Sequence, residues 1–232
     1  MEMYINDIIY PKIETIYNDS SGRNTWEEIK QAHSSRGGQI SPYSTLICDV
    51  ICTNYTSNHC DQIYILKFIP FEAYRVSEAR DIINNEIKLQ KDSSRIGVSP
   101  PIVDSWFSDV GGVIIMEKLE IDVETLLTKY KSLEVIHLIF ANITNVIDKL
   151  HLNGIYHGDL HLQNIMAIST GDTKYDEKDE NELVLFTKKG YRFYLIDFGE
   201  GGYLKYHPKL IKGDYEALQD HFVDILKPFI SL

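Results

Sequence analysis

Only three cysteines, Cys48, Cys52 and Cys60, occur in the 232 residues, and an odd, small number argues against a disulfide framework. His59 beside Cys60 could complete a four-ligand zinc set, but the spacing is not that of paired knuckles. The cysteines read first as ordinary strand and turn residues. Cations are scarce as well: 23 Lys and Arg stand against 34 Asp and Glu, a formal charge of −11. Such a chain lacks the clustered positive charge that grips DNA, RNA or an anionic membrane, although it leaves room for a local anion site. Long apolar runs are missing too. "GGVIIM" and "HLIFANI" are far too short to span a bilayer, and "MEMYINDIIYPKIE" has no basic segment leading into an apolar one. The expectation is a soluble, intracellular, cytoplasmic protein with no nucleic-acid or membrane partner.

What is present is ordinary globular material, 44% hydrophobic and 25% charged, long enough for one large domain or for two lobes. No internal repeat is visible. "TWEEIKQAH" reads as a helix, with Thr25 as N-cap to Glu28. "YSTLICDVICT" and "QIYILKFI" are β-branched and aromatic, hence strands, joined by the polar hairpin loop "NYTSNHCD". From Ser77 to Lys91 the pattern is helical, with Ala79, Ile82, Ile83 and Ile87 on one face and Glu86 projecting within that stripe. A charge placed there needs a partner.

Two short strands, Trp106–Phe107 and Val113–Met116, are expected around a Gly-Gly turn. "IDVETLLTKY" is a short helix, and the strongest helical period runs from Leu133 to Leu152, closed by Gly154 as a C′ glycine. "TGDTKYDEKDENE", an acidic insertion over residues 170–182, predicts a mobile loop. "YRFYLIDFGEGG" is a strand running into glycines, and Leu218, Phe222 and Ile225 share a face of a last helix from Asp214 to about Leu226. This order predicts an α+β fold, with a small antiparallel sheet lobe over residues 1–118 and a mainly helical lobe over residues 119–232.

The stretch "IYHGDLHLQNIM" has three readings. His157, Asp159 and His161 on alternate positions could be a metal cluster, a polar strand face or a catalytic loop. Asn164 follows Asp159 by five positions, and "YLIDFGE" ends an apolar strand on Asp197-Phe198-Gly199. An Asp-x4-Asn followed by a strand ending Asp-Phe-Gly resembles the protein-kinase superfamily. That resemblance implies a two-lobed kinase-like fold that transfers the ATP γ-phosphate with Mg2+ or Mn2+. It makes Asp159 the base for the attacking hydroxyl, and Asn164 and Asp197 the oxygen ligands of the metal. Lys67 in "IYILKFI" becomes the lysine on the α- and β-phosphates, with Glu86 as its partner. Met116 in "VIIMEKLE" becomes the gatekeeper, with the backbone from Glu117 to Leu119 meeting adenine.

The likeness covers roughly residues 37–226 and departs from the family in three places. The glycine loop is reduced to Gly37-Gly38, whose backbone could still approach phosphates. His-Arg-Asp has become His-Gly-Asp, which leaves no arginine for an activation-loop phosphate, and His161 stands where a lysine is usual. This wording is similar to the atypical branch, which includes aminoglycoside and choline phosphotransferases, UbiB-type kinases and the smallest atypical kinases. Finally, Asn164 and Asp197 lie 33 positions apart and only 33 residues follow Gly199. The shortness is similar to that of divergent kinase-like chains of large DNA viruses.

The resemblance implies ATP and a protein Ser/Thr hydroxyl as partners, and a partner protein that completes the substrate site. A small-molecule kinase and a nucleotide-binding pseudokinase scaffold are the alternatives. Asp214 reads first as the N-cap of the last helix, and second as the aspartate that braces the catalytic loop.

Overall fold

Alternation governs the first half of the chain, because successive strand residues point to opposite sheet faces. The computed structural model describes residues 26–34, 45–52, 62–71, 78–108, 110–171 and 181–230. The chain divides into two units, Met1–Ile87 with Pro101–Lys118, and Lys88–Pro100 with Leu119–Leu232. Each is described by itself. The fold is α+β.

The first unit holds a five-stranded antiparallel sheet in the order β1-β2-β3-β5-β4, from β1 (Trp26–Ser34), β2 (Leu46–Cys52), β3 (Ile63–Pro70), β4 (Ile102–Phe107) and β5 (Gly111–Glu117). Leu46, Cys48, Val50 and Cys52 of β2 join Tyr64, Leu66 and Phe68 of β3 and Val113 and Ile115 of β5 on one buried face. Ile69, Ile114 and Met116 point the other way and pack on Ile83 and Ile87 of α1 (Ala79–Arg95). Lys67 has the parity of Ile69, so the sheet's period of two puts it on the helix side.

Two sequence expectations fail here. Trp26–Ser34 is a strand rather than a helix. The helix preference of its Glu, Lys, Gln and Ala residues yields to pairing with β2 and to burial of Trp26, whose ring stands edge-on to Tyr64 at 5.3 Å. Gly111 and Gly112 lie inside β5, not in the turn before it. A Cβ on Gly111 would lie 2.4 Å from the Ile69 carbonyl oxygen, and one on Gly112 would lie 2.7 Å from the Ile83 side chain, so close packing selects both glycines.

The second unit is built on α3 (Leu133–Leu152), after β6 (Ile121–Asp122) and α2 (Val123–Lys129). The α3 stripe Ile136, Ile139, Ile143, Ile147 and Leu150 is buried against Val123, Leu126, Ile165, Phe193 and Leu195, among others. Ser132 caps α3, and Gly154 after it takes φ +76, the left-handed position that favours glycine. β7 (Ile155–Tyr156), a 3-10 turn (Leu162–Asn164) and β8 (Ile165–Ser169) follow. Next come α4 (Glu182–Lys189), β9 (Tyr191–Leu195), β10 (Gly202–Tyr203) and α5 (Leu210–Ile230).

One small sheet runs β6-β8-β9 and another pairs β7 with β10. The acidic insertion lies outside the described residues between Gly171 and Asn181. Its end is the helix α4, which the sequence reading passed over: Asn181 caps it through the Leu183 N–H, and Gly190 closes it at φ 58. No helix among the described residues is long and apolar enough to cross a membrane.

Truncation at Ile139, fully buried on α3, is expected to cost about 2–5 kcal/mol in the Ile139→Ala variant, from lost transfer energy plus a cavity. Leu152→Ala, at a side chain that stays in solvent, should leave the urea unfolding midpoint unchanged.

Candidate functional site

Lys67 and Glu86 meet within the first unit, Nζ to Oε1 at 2.6 Å, with side chains 7% and 2% exposed. The strand supplies the lysine by parity, and α1 supplies the glutamate three residues after Ile83, on the same face. Two charges taken out of water pay a desolvation cost that their attraction barely offsets, so such a pair is a poor way to stabilise a core. Met116 is buried in β5 on the same sheet face. The Glu117 N–H donates to the Pro101 carbonyl at 3.3 Å, so it is taken within the unit. Leu119 is buried and Lys118 pairs with Asp49 at 2.6 Å. Gly37 and Gly38, like His59 and Cys60, lie outside the described residues.

The second unit carries the loop from His157 to Asn164, and its centre is Asp214. The sequence reading favoured Asp214 as an N-cap. The helix in fact begins at Leu210, and Asp214 lies within it, 2% exposed, with its carboxylate turned onto the loop. It accepts from the backbone N–H of His157 and of Gly158, each at 2.9 Å, and from His151 Nε2 at 2.8 Å. Burial works to raise the Asp214 pKa. The bonds from His151, His157 and Gly158 outweigh it and hold the carboxyl below its ordinary range.

His157 is fully buried. Its Nε2 donates to the Ile196 carbonyl at 2.8 Å, and its Nδ1 accepts from the Asp159 N–H at 3.4 Å. Burial pushes its pKa below the usual value, against the Ile196 carbonyl and the nearby carboxylates of Asp214, Asp197 and Asp159. A neutral ring with one donor and one acceptor suits this setting, and both nitrogens are occupied. The metal-cluster reading of His157 and His161 is thereby excluded.

Asp159 has a side chain 58% exposed, with His161 Nε2 3.9 Å from its Oδ2. Asn164 is buried and its Nδ2 donates to the Asp159 carbonyl at 3.0 Å, which leaves the amide oxygen as the ligand end. The Asn164 carbonyl accepts from the Ile196 N–H at 3.0 Å, so Asn164 and the residue before Asp197 are bonded directly. Asp197 has φ 65, a left-handed backbone position for a residue other than glycine, where strain is kept at functional sites.

Downstream, Gly202 and Tyr203 pair with Tyr156 and Ile155, and the Tyr203 hydroxyl donates to Asp92 at 2.6 Å. Burial first, and then Asp92, push the Tyr203 pKa up to about 12. The segment after Asp197 is thus fastened beside the loop.

Gly158 has φ +83, and a Cβ there would lie 2.3 Å from the Glu200 carbonyl oxygen. The His-Gly-Asp wording is therefore a steric requirement. No side chain, arginine included, fits while the backbone at Glu200 keeps its course.

Lys67 and Glu86 come together in one unit; Asp159, His161, Asn164 and Asp197 come together in the other. An amide oxygen and a carboxylate fit a hard divalent cation that takes its remaining ligands from phosphates and water. The orientation of the Asn164 amide by the Asp159 carbonyl supports that fit. Among the described residues no group of three or more His, Cys, Asp or Glu is placed to hold a metal, and such a two-ligand site needs none. His151 was missed as a site residue, and the bracing role of Asp214 was placed second to the N-cap. A signal existed for Asp214: it precedes Leu218 by four residues and Phe222 by eight, on the buried face of α5. The chain matches no family model, and no curated protein matches it.

Lys67→Met alone is expected to cost about 3–5 kcal/mol by stranding Glu86 in the core. The double change Lys67→Met, Glu86→Leu should recover most of that loss in urea unfolding. If single and double variants are equally destabilised, the pair is not the desolvated unit described.

Asp214 also sets an acid limit. With its folded pKa depressed, its contribution is full above the unfolded value of about 3.9 and is lost as pH falls through the lower, folded value. Thermal melts of Asp214→Asn should show lower stability at neutral pH and a shallower acid limb than the wild type; parallel acid limbs would contradict the assignment.

Proposed function

We propose that the protein is a divergent phosphotransferase of the protein-kinase-like superfamily, two-lobed in the manner of that fold, which moves the ATP γ-phosphate to a hydroxyl, most readily a protein Ser or Thr. The buried Lys67–Glu86 pair carries this reading. A desolvated ion pair adds little to stability, and its retention makes sense if the ammonium has an anionic ligand to hold. The braced loop gives independent support, since Asp159 is the exposed carboxylate on an otherwise tied-down segment.

Lys67, steadied by Glu86, binds the α- and β-phosphates. Asp159 accepts the proton of the acceptor hydroxyl as its oxygen bonds to the γ-phosphorus and the bond to the ADP oxygen breaks. Asn164 and Asp197 would hold Mg2+ or Mn2+, which supplies charge neutralisation at the phosphates. His161, half-exposed beside Asp159, can donate to a phosphate oxygen, although a lysine would be the better counter-charge. Met116 and the backbone from Glu117 to Leu119 are the adenine-side residues of this reading, although the Glu117 N–H is taken by the Pro101 carbonyl. A partner protein that completes the substrate site belongs to the same proposal.

A second reading, a small-molecule kinase, is favoured by a cavity of about 350 Å3 lined by Glu124, His161, Leu162, Gln163 and His221. Its size suits a small metabolite, to which Glu124, His161, Gln163 and His221 offer polar groups on a largely apolar wall. A catalytically idle, nucleotide-binding scaffold is the third reading, against which the complete set of base and ligand residues weighs.

Labelled Mg-ATP offered with a protein pool and with a panel of hydroxylated small molecules separates these readings. Wild-type transfer should fall by about 100-fold or more in Asp159→Asn. The acceptor that gains label decides between protein and metabolite. Mg-ATP should also raise the melting temperature of both forms, because a ligand of the native state alone must stabilise it; transfer undiminished in the variant, or no thermal shift at all, would sink the proposal.

A further inference from the structure

Asn142, Asn145 and Lys149 fall at i, i+3 and i+7 on α3, a polar flank beside the buried isoleucine stripe. They form one wall of a cavity of about 550 Å3, closed by Gly97, Thr170 and Arg192 and floored by Phe193. None of its ten lining residues is acidic, in a chain whose formal charge is −11. Neither Lys149 nor Arg192 has a carboxylate partner among the described residues; the Arg192 guanidinium reaches only the Tyr194 hydroxyl, at 3.4 Å. A Cβ on Gly97 would lie 3.7 Å from Lys149 Nζ, which places the ammonium over that turn.

The backbone of β9 adds a second, independent feature. β9 is an edge strand of its sheet, with Phe193 opposite Ala167 and Leu195 opposite Ile165 on β8. Leu195 N–H turns away from β8 to the Val98 carbonyl at 2.8 Å. By the period of two, Phe193 turns its N–H and C=O to that same outer side, toward the cavity it lines. An edge that faces a cation-rich cavity is a template for strand addition.

We propose that this cavity binds an extended acidic peptide of a partner protein, which adds as a strand along the outer edge of β9 and sets its carboxylates against Lys149 and Arg192. Length favours a peptide over a lone anion. Asn142 to Lys149 spans about 10 Å of helix, which matches about three residues of extended chain, whereas a single phosphate meets one end only. The amides of Asn142 and Asn145 supply further donors along that wall, one Asn142 Nδ2 hydrogen being taken by the Leu138 carbonyl. None of these residues belongs to the phosphotransfer set, so this site stands or falls apart from that reading.

A short fluorescent peptide of alternating Glu and Val, titrated into the full chain and followed by anisotropy, tests the site. Saturable binding is expected, weakening with added salt and by about tenfold or more in the double variant Lys149→Glu, Arg192→Glu. Both positions are exposed, and the milder pair Lys149→Gln, Arg192→Gln should lie between. Hydrogen exchange at the Phe193 amide should slow in the complex. No saturable binding, equal affinity in the charge-reversed variant, equal affinity for a peptide of alternating Lys and Val, or unaltered exchange at Phe193 overturns the proposal.

Discussion

One carboxylate organises the second unit. Asp214 collects three donors, two from the backbone at the start of the loop and one from the end of α3, so a helix, a loop and a second helix are tied at a single buried point. A charge so placed is tolerable only because every donor is present; take one away and the desolvation of the rest is left uncompensated. Secondary elements alone do not fix the order of the loop. From His157 onward each tie builds on the last: the ring to Ile196, Ile196 to Asn164, and Asn164 back to the Asp159 carbonyl. Asp159 itself stays in solvent at the end of this chain of bonds.

The first unit obeys the same logic at a different place. Lys67 stands among apolar neighbours because the sheet's parity leaves it no other face, and Glu86 answers it from the helix. Both units therefore contain a buried charge whose position is dictated by period and whose partner is dictated by that burial. This is why Glu86 and the α3 stripe could be read from the chain before any coordinates, since a period of 3.6 is a local property and a charge inside an apolar stripe announces its need for a partner, whereas Lys67 was singled out only by the family resemblance.

What escaped the sequence depends on distant neighbours. Trp26–Ser34 becomes a strand because β2 lies beside it, which no property of those nine residues conveys. Gly111 and Gly112 look like turn residues until the Ile69 carbonyl and the Ile83 side chain are seen to fill the space of their missing Cβ atoms. Helix α4 was hidden by the acidic run before it, although Asn181 and Gly190 mark its two ends as plainly as any caps in the chain. Asp214 was misread for a subtler reason: an aspartate near a helix start is usually a cap, and only the four additional residues from Leu210 move it inside. The same parity argument that found Glu86 would have found it.

The close approach at Gly158 has a historical consequence. With Glu200 backbone occupying the space where a side chain would begin, any lineage carrying this loop is confined to glycine at that position for as long as the turn through residues 199–202 keeps its path. No single replacement at Gly158 escapes this, since each would have to displace a backbone carbonyl. The turn would have to be rerouted first, with its tie to Tyr156 released, so a side chain at this position demands a concerted change in two segments.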